Sequence, residues 1–176
     1  MPESNIRSVD TVALEAPLEE PFGYAQEWVN IRSALLVRIE ATDGTVGWGE
    51  CWGPIAGTRE TINDLLAPEL VGEDPLDVGR LHDQLYDVSR AAYQSTVPLP
   101  AISGLDIALW DLRGKILDEP VSRLLGGRRR ETGPAYGTGH YFKPIENLDS
   151  QYAAIVSEAE ENADALCAIK LKIGLS

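Results

Sequence analysis

The chain has 176 residues, is 44% hydrophobic and carries a formal net charge of -13. That length buries one good core, or one domain and part of a second, but not a whole (β/α)8 barrel, which takes roughly 250 residues. The acidity excludes nucleic acid, whose phosphates would be repelled, and no apolar run reaches membrane-spanning length.

Taken in order, residues 6–13 read as a first strand and residues 14–30, with Pro17, Pro21 and Gly23, as a long loop. Residues 33–42 are a second strand. Asp43-Gly44 signals a hairpin, and residues 46–51 return. The glycine- and tryptophan-rich run Gly47-Trp48-Gly49-Glu50-Cys51-Trp52-Gly53 leads into a helix over 58–70 with Ile62, Leu65 and Leu66 on one face. Asp74-Pro75 is an N-cap with proline in the first turn, and Val78, Leu81, Leu85 and Val88 continue a helical stripe. His82, beside that stripe, reads as a surface or packing residue. No stretch reads as a signal peptide. Cys51 and Cys167 form neither a metal-binding nor a disulfide pattern, so a reducing cytoplasm is expected.

Residues 101–117 follow as a helix. Ile102, Leu105, Leu109, Leu112 and Ile116 recur at steps of three and four, and Ala101, Ile107, Ala108 and Trp110 make the other sides apolar, so burial nearly all round is expected. Asp111 and Lys115 can pair four residues apart. Gly126-Gly127 closes the segment. Arg128-Arg129-Arg130 is a solvated linker or an ion-pair partner of acidic residues. Residues 134–141 form a strand. Asn147 caps a helix over 148–162 with Tyr152, Ile155 and Ala159 inward, and residues 166–173 form another strand. Strand, helix, strand make a βαβ unit.

The run Ser103-Gly104-x-Asp106-x-Ala108-x-Trp110-Asp111-x-x-Gly114-Lys115, then Pro120-x-x-x-Leu124-Leu125-Gly126-Gly127, resembles the signature helix of the mandelate racemase/muconate lactonizing enzyme family of the enolase superfamily. The resemblance implies an α+β capping domain over residues 1–130 and, over 131–176, the first βαβ unit of a truncated (β/α) barrel. It also implies proton abstraction α to the carboxylate of a small substrate, assisted by Mg2+, in a homo-oligomeric parent enzyme. In that family the loops after the first strand and after the hairpin close over the barrel mouth. By that likeness Phe22, Tyr24, Trp28, Trp52 and Ile55 are lid candidates, and ordinary packing is the competing role for each. Tyr136, Thr138, His140 and Tyr141 are candidates at the mouth itself.

Ile169-Lys170-Leu171-Lys172-Ile173 alternates strictly, which puts the two lysines on one face. Inward-facing groups at the C-terminal end of a barrel strand are where such folds place catalysis. Two ammonium groups about 6.5–7 Å apart by strand rise would lower each other's pKa, as would burial, which suits a base. An edge strand with a polar solvent face is the plain alternative. Only four of the fifteen basic residues are lysines (Lys115, Lys143, Lys170 and Lys172), which makes the pair conspicuous. The pair followed by Ile173-Gly174 also resembles the family's second-strand motif. Carried over, Lys170 contacts the substrate carboxylate or the second lysine, and Lys172 exchanges the α-proton.

The family's metal ligands stand at the ends of the third to fifth barrel strands. No metal ligand is therefore expected within this chain, and residues 1–176 alone are expected to be inactive. Racemase or epimerase, sugar-acid dehydratase and cycloisomerase all stay open, as does a non-catalytic capping or oligomerisation module.

Overall fold

The computed structural model describes residues 4–25, 27–94, 96–145 and 147–174. The chain divides into two compact units, Met1–Leu14 with Ser33–Arg128, and Glu15–Arg32 with Arg129–Ser176.

The first unit is built on a three-stranded sheet in the order β1-β2-β3, with β1 at Ile6–Tyr24, β2 at Glu27–Ala41 and β3 at Val46–Cys51. The Asp43-Gly44 hairpin forms as its residues dictate. Gly44 takes φ 89°, and the Asp43 carboxylate accepts the Thr45 N–H at 2.8 Å. β3 pairs antiparallel with β2, Val37 facing Gly49 and Ile39 facing Gly47. Leu35, Val37, Ile39 and Ala41 all point into the core.

Residues 14–24 and 27–30 of the expected loop are strand, because β1 runs on to Tyr24, before a turn where Ala25 has φ 45°, and β2 begins at Glu27. Pro17 and Pro21 belong to β1, which lies at an edge of the sheet, where a missing N–H breaks no ladder. β1 and β2 therefore each pass from the first unit into the second.

The helices of the first unit are α1 (Ile55–Glu60), α2 (Val78–Tyr93), α3 (Leu99–Leu117) and α4 (Val121–Leu124). The helix expected over 58–70 begins earlier and changes type. α1 is kinked at Ala56 and Gly57, a π-helical turn spans Thr61–Leu66, and a 3-10 turn spans Ala67–Glu69. Pro68 lies in that last turn, and losing its N–H favours a tight ending. Ile62 and Leu66 still reach the core and Leu65 packs against it. Asp74 does not cap α2 but closes a turn of its own. Its carboxylate accepts the Leu76 N–H at 2.8 Å and its carbonyl the Asp77 N–H at 3.2 Å, so α2 starts only at Val78.

α3 supplies the centre of the core through Ala101, Ile102, Leu105, Ala108, Leu109 and Leu112. Burial is not all round, since Ile107 is half exposed. The face of α3 that meets β3 is set by glycines. A Cβ on Gly49 would stand 2.1 Å from the Gly104 carbonyl oxygen, and one on Gly47 would stand 2.2 Å from that of Ala108. Strand and helix backbones thus touch directly. Asp111 and Lys115 pair at 2.6 Å as expected, and both also hold β3. Asp111 accepts the Trp48 N–H at 2.8 Å, and Lys115 donates to the Val46 carbonyl at 2.8 Å.

In the second unit, β4 (Gly137–Thr138) and β5 (Ile169–Lys170) pair in parallel on either side of α5 (Leu148–Asn162) in the sequence. The βαβ order is the one expected. Asn147 caps α5 by accepting the Asp149 and Ser150 N–H groups at 2.8 and 3.2 Å. The strands are much shorter than 134–141 and 166–173. Ile169 is half-buried, whereas Leu171 and Ile173 are exposed rather than packed, because the paired register ends at Lys170.

Candidate functional site

The βαβ unit brings the two lysines to the end of β5. Thr138 is the register partner of Lys170, and the ladder continues one step as the Lys172 N–H donates to the His140 carbonyl at 3.3 Å. Lys170 is exposed, with its ammonium 5.5 Å from the centroid of the Tyr136 ring. Lys172 is half-buried and sits between two rings, 5.5 Å from Tyr24 and 5.4 Å from Tyr141. Both separations lie within cation–π range.

The turn end of the β1–β2 hairpin reaches this place through backbone pairing. Gly23 and Phe142 form an antiparallel bridge, N–H to O at 2.7 Å in one direction and 2.9 Å in the other. That bridge sets Phe22 and Tyr24 beside Tyr141, with ring centroids 4.5 and 6.5 Å away. The Tyr24 hydroxyl donates to the Glu27 carboxylate at 2.6 Å, and that carboxylate raises the Tyr24 pKa above its ordinary value. The Arg32 guanidinium lies 4.6 Å from the Phe22 centroid. Trp28 packs across Gly23, whose absent Cβ would be 3.2 Å from the indole.

Two of the lid candidates stand elsewhere. Trp52 and Ile55 belong to the first unit, where Trp52 is 88% exposed and Ile55 packs against the core. His140 is buried, has φ 53°, and neither ring nitrogen has a hydrogen-bond partner among the described residues. Its backbone N–H donates to the Glu158 carboxylate at 3.3 Å. His82 lies at the surface of the first unit with Nδ1 3.2 Å from Asp106. Arg128, Arg129 and Arg130 join no ion pair among the described residues, consistent with a solvated linker. Sequence reading did not single out Glu27 or Arg32. Neither carries a motif, and each matters only through an aromatic neighbour that folding supplies.

Among the described residues, no group of three or more His, Cys, Asp or Glu side chains could hold a metal ion. They do not fit the Mg2+ that the family resemblance implies, and no chemical step below is routed through it.

The model of the mandelate racemase/muconate lactonizing enzyme N-terminal domain matches residues 6–126. The chain belongs to this family. It is 40% identical over 169 residues to a D-galactarolactone cycloisomerase of Agrobacterium fabrum, covering 96% of this chain and 44% of that protein. It is 36% identical over 145 residues to an arabinonate dehydratase of Saccharolobus solfataricus, covering 80% of this chain and 37% of that one. Among solved structures, the muconate lactonizing enzyme of Pseudomonas fluorescens, complexed with muconolactone, superposes with a TM-score of 0.79 at 29% identity, over 99% of this chain and 46% of that one. The 3,6-anhydro-D-galactonate cycloisomerase of Zobellia galactanivorans gives a TM-score of 0.76 at 30% identity, over 98% and 44%. The chain thus spans less than half the length of these relatives. The family's capping fold, an antiparallel sheet with helices, is the fold of the first unit.

Proposed function

We propose that the chain is the N-terminal part of an enzyme that abstracts a proton α to the carboxylate of a small substrate, with Lys172 exchanging that proton and Lys170 contacting the carboxylate. The observation that carries this reading is the parallel β4–β5 pair, which has Lys170 at the C-terminal end of β5 and Lys172 two residues beyond it, in a chain of this family. Racemisation or epimerisation, dehydration of a sugar acid and cycloisomerisation share that first step. The names of the relatives, among them a galactarolactone cycloisomerase and an arabinonate dehydratase, favour a polyhydroxylated acid or its lactone.

The chemistry divides between the two cations by position. Lys170 is exposed and can meet an incoming carboxylate. Lys172 is half-buried between two aromatic rings, which suits an ammonium that must be presented in one direction. A bound Mg2+ would supply positive charge beside the substrate carboxylate, and the described residues offer no group to hold it. Residues 1–176 by themselves are expected to give no turnover. Further copies of the chain are the expected oligomeric partners. The free thiols of Cys51 and Cys167 suit a reducing cytoplasm, and no helix is long and apolar enough to cross a membrane among the described residues.

Deuterium incorporation from solvent into a panel of sugar acids, read by NMR, tests the assignment. The 176-residue chain should give none, with or without Mg2+. Joined to the C-terminal portion of the cycloisomerase relative, it should exchange one α-proton. Lys172→Ala should abolish that exchange, and Lys172→Arg should do nearly as badly because guanidinium stays protonated. Metal-dependent exchange by residues 1–176 alone, or full exchange by Lys172→Ala, would refute the reading.

A further inference from the structure

We propose that Tyr24 and Tyr141 are positioning residues for Lys172, a two-ring clamp that aims its ammonium group before substrate arrives. The proposal rests on the acid/base reading of Lys172 and adds to it the part played by the hairpin end.

A lysine side chain has four rotatable bonds and loses rotamer freedom when held. Lys172 lies two residues past the two-residue strand β5, so something other than the sheet must hold its side chain. The two rings do so from different parts of the chain, Tyr24 from the end of β1 and Tyr141 from the segment after β4, each within 6 Å of the ammonium. Single cation–π contacts are common at protein surfaces. Here Lys170 has one ring and is exposed, whereas Lys172 has two and is half-buried.

Each wall of the clamp is fixed by groups other than the lysine. The Gly23–Phe142 bridge locks the hairpin end to the segment that carries Tyr141. Phe22 packs on Tyr141 and is itself covered by Arg32. Glu27 tethers the Tyr24 hydroxyl. The hairpin end therefore acts on the base directly, in addition to any contact it makes with substrate. Because the attraction uses the ring face, Phe should replace Tyr24 and Leu should not.

The chain with labelled lysines provides the test, since only four signals need assignment, through one Lys→Arg substitution at a time. In the unaltered chain, the Lys172 ε-methylene protons should lie upfield of those of Lys115 through ring currents and show NOEs to both tyrosine rings. Tyr24→Phe should keep the displacement, Tyr24→Leu should remove about half, and Tyr24→Leu with Tyr141→Leu nearly all. The Gly23 and Phe142 amide signals report whether the bridge survives in each variant. Absence of ring NOEs in the unaltered chain would overturn the clamp without any variant, as would equal loss in Tyr24→Phe and Tyr24→Leu. If the NOEs are present but α-proton exchange in the joined enzyme is indifferent to Lys172, the acid/base reading fails and the positioning role fails with it. If exchange depends on Lys172 but the NOEs are missing, only the clamp fails.

Discussion

Gly49→Ala should be among the most damaging single-methyl changes available in this chain. The new Cβ would stand 2.1 Å from the Gly104 carbonyl oxygen and 2.8 Å from the Ala108 nitrogen, where ordinary contact begins at 3.4 Å. Both obstacles are backbone atoms in the middle of α3, so no rotamer change relieves them. The helix must retreat from β3 by about an ångström, a gap that forfeits a quarter to a half of the dispersion energy across that interface. It also pulls Asp111 from the Trp48 N–H. Overpacking ordinarily costs about 1–3 kcal/mol, and a backbone-on-backbone clash belongs at or above the top of that range, about 3 kcal/mol or more. Against a total of about 5–15 kcal/mol, that removes roughly a fifth to more than half of the stability, so the unfolding midpoint should fall sharply. Urea unfolding followed by tryptophan fluorescence measures the effect, with Gly79→Ala as control. Gly79 lies in α2 with nothing within 4 Å of its would-be Cβ, so alanine there should stabilise by about 0.5–1 kcal/mol. Gly104→Ala adds an internal check, because its nearest obstacle is the Cys51 Sγ at 2.3 Å. Cys51→Ala should therefore partly rescue Gly104→Ala, with a coupling of about 1 kcal/mol, and should not rescue Gly49→Ala. An unchanged midpoint for Gly49→Ala would refute the direct backbone contact of β3 and α3.

Other outcomes follow from the same structure. Asp111→Ala and Lys115→Met should each destabilise by about 1–2 kcal/mol, because each side chain also holds the backbone of β3, at the Trp48 N–H and at the Val46 carbonyl; an unchanged midpoint for either in urea melts would contradict this. In native protein, Cys167 should react with a thiol reagent at pH 8 while Cys51 stays silent, because burial pushes the Cys51 thiol up to about 11. With its folded pKa above its unfolded one, Cys51 contributes stability that is complete below about pH 9 and fades as pH rises toward 11; unfolding curves of the unaltered chain and Cys51→Ala should diverge only across that window, and parallel curves would argue against it. Amide hydrogen exchange should be slow across Leu35–Ala41 and fast across residues 163–174, where most side chains are exposed and only two residue pairs hold β4 to β5.

Local chemistry in the sequence was enough for several elements. Asn147 before a polar first turn sets the start of α5, Asp43-Gly44 sets the hairpin, and the three-and-four spacing from Ile102 to Ile116 sets α3. Each depends on residues only a few positions apart, and the pairing of Asp111 with Lys115 is legible for the same reason. Lys170 and Lys172 stand out by alternation and by the scarcity of lysine. Tertiary structure decided what such patterns cannot carry. Pro17 and Pro21 read as loop residues until β1 is known to be an edge strand, where they are harmless. The glycines of β3 look like turn punctuation until α3 is seen lying against them. Tyr24, Tyr141 and Lys172 are separated by more than a hundred residues between the first and the others, and only the Gly23–Phe142 bridge brings the first ring to the other two groups. Periodicity and capping act within a turn or two of chain, so the sequence alone located α3, α5 and the Asp43-Gly44 hairpin; backbone pairing and close packing act between distant segments, so only the fold decided where the strands run and which side chains meet.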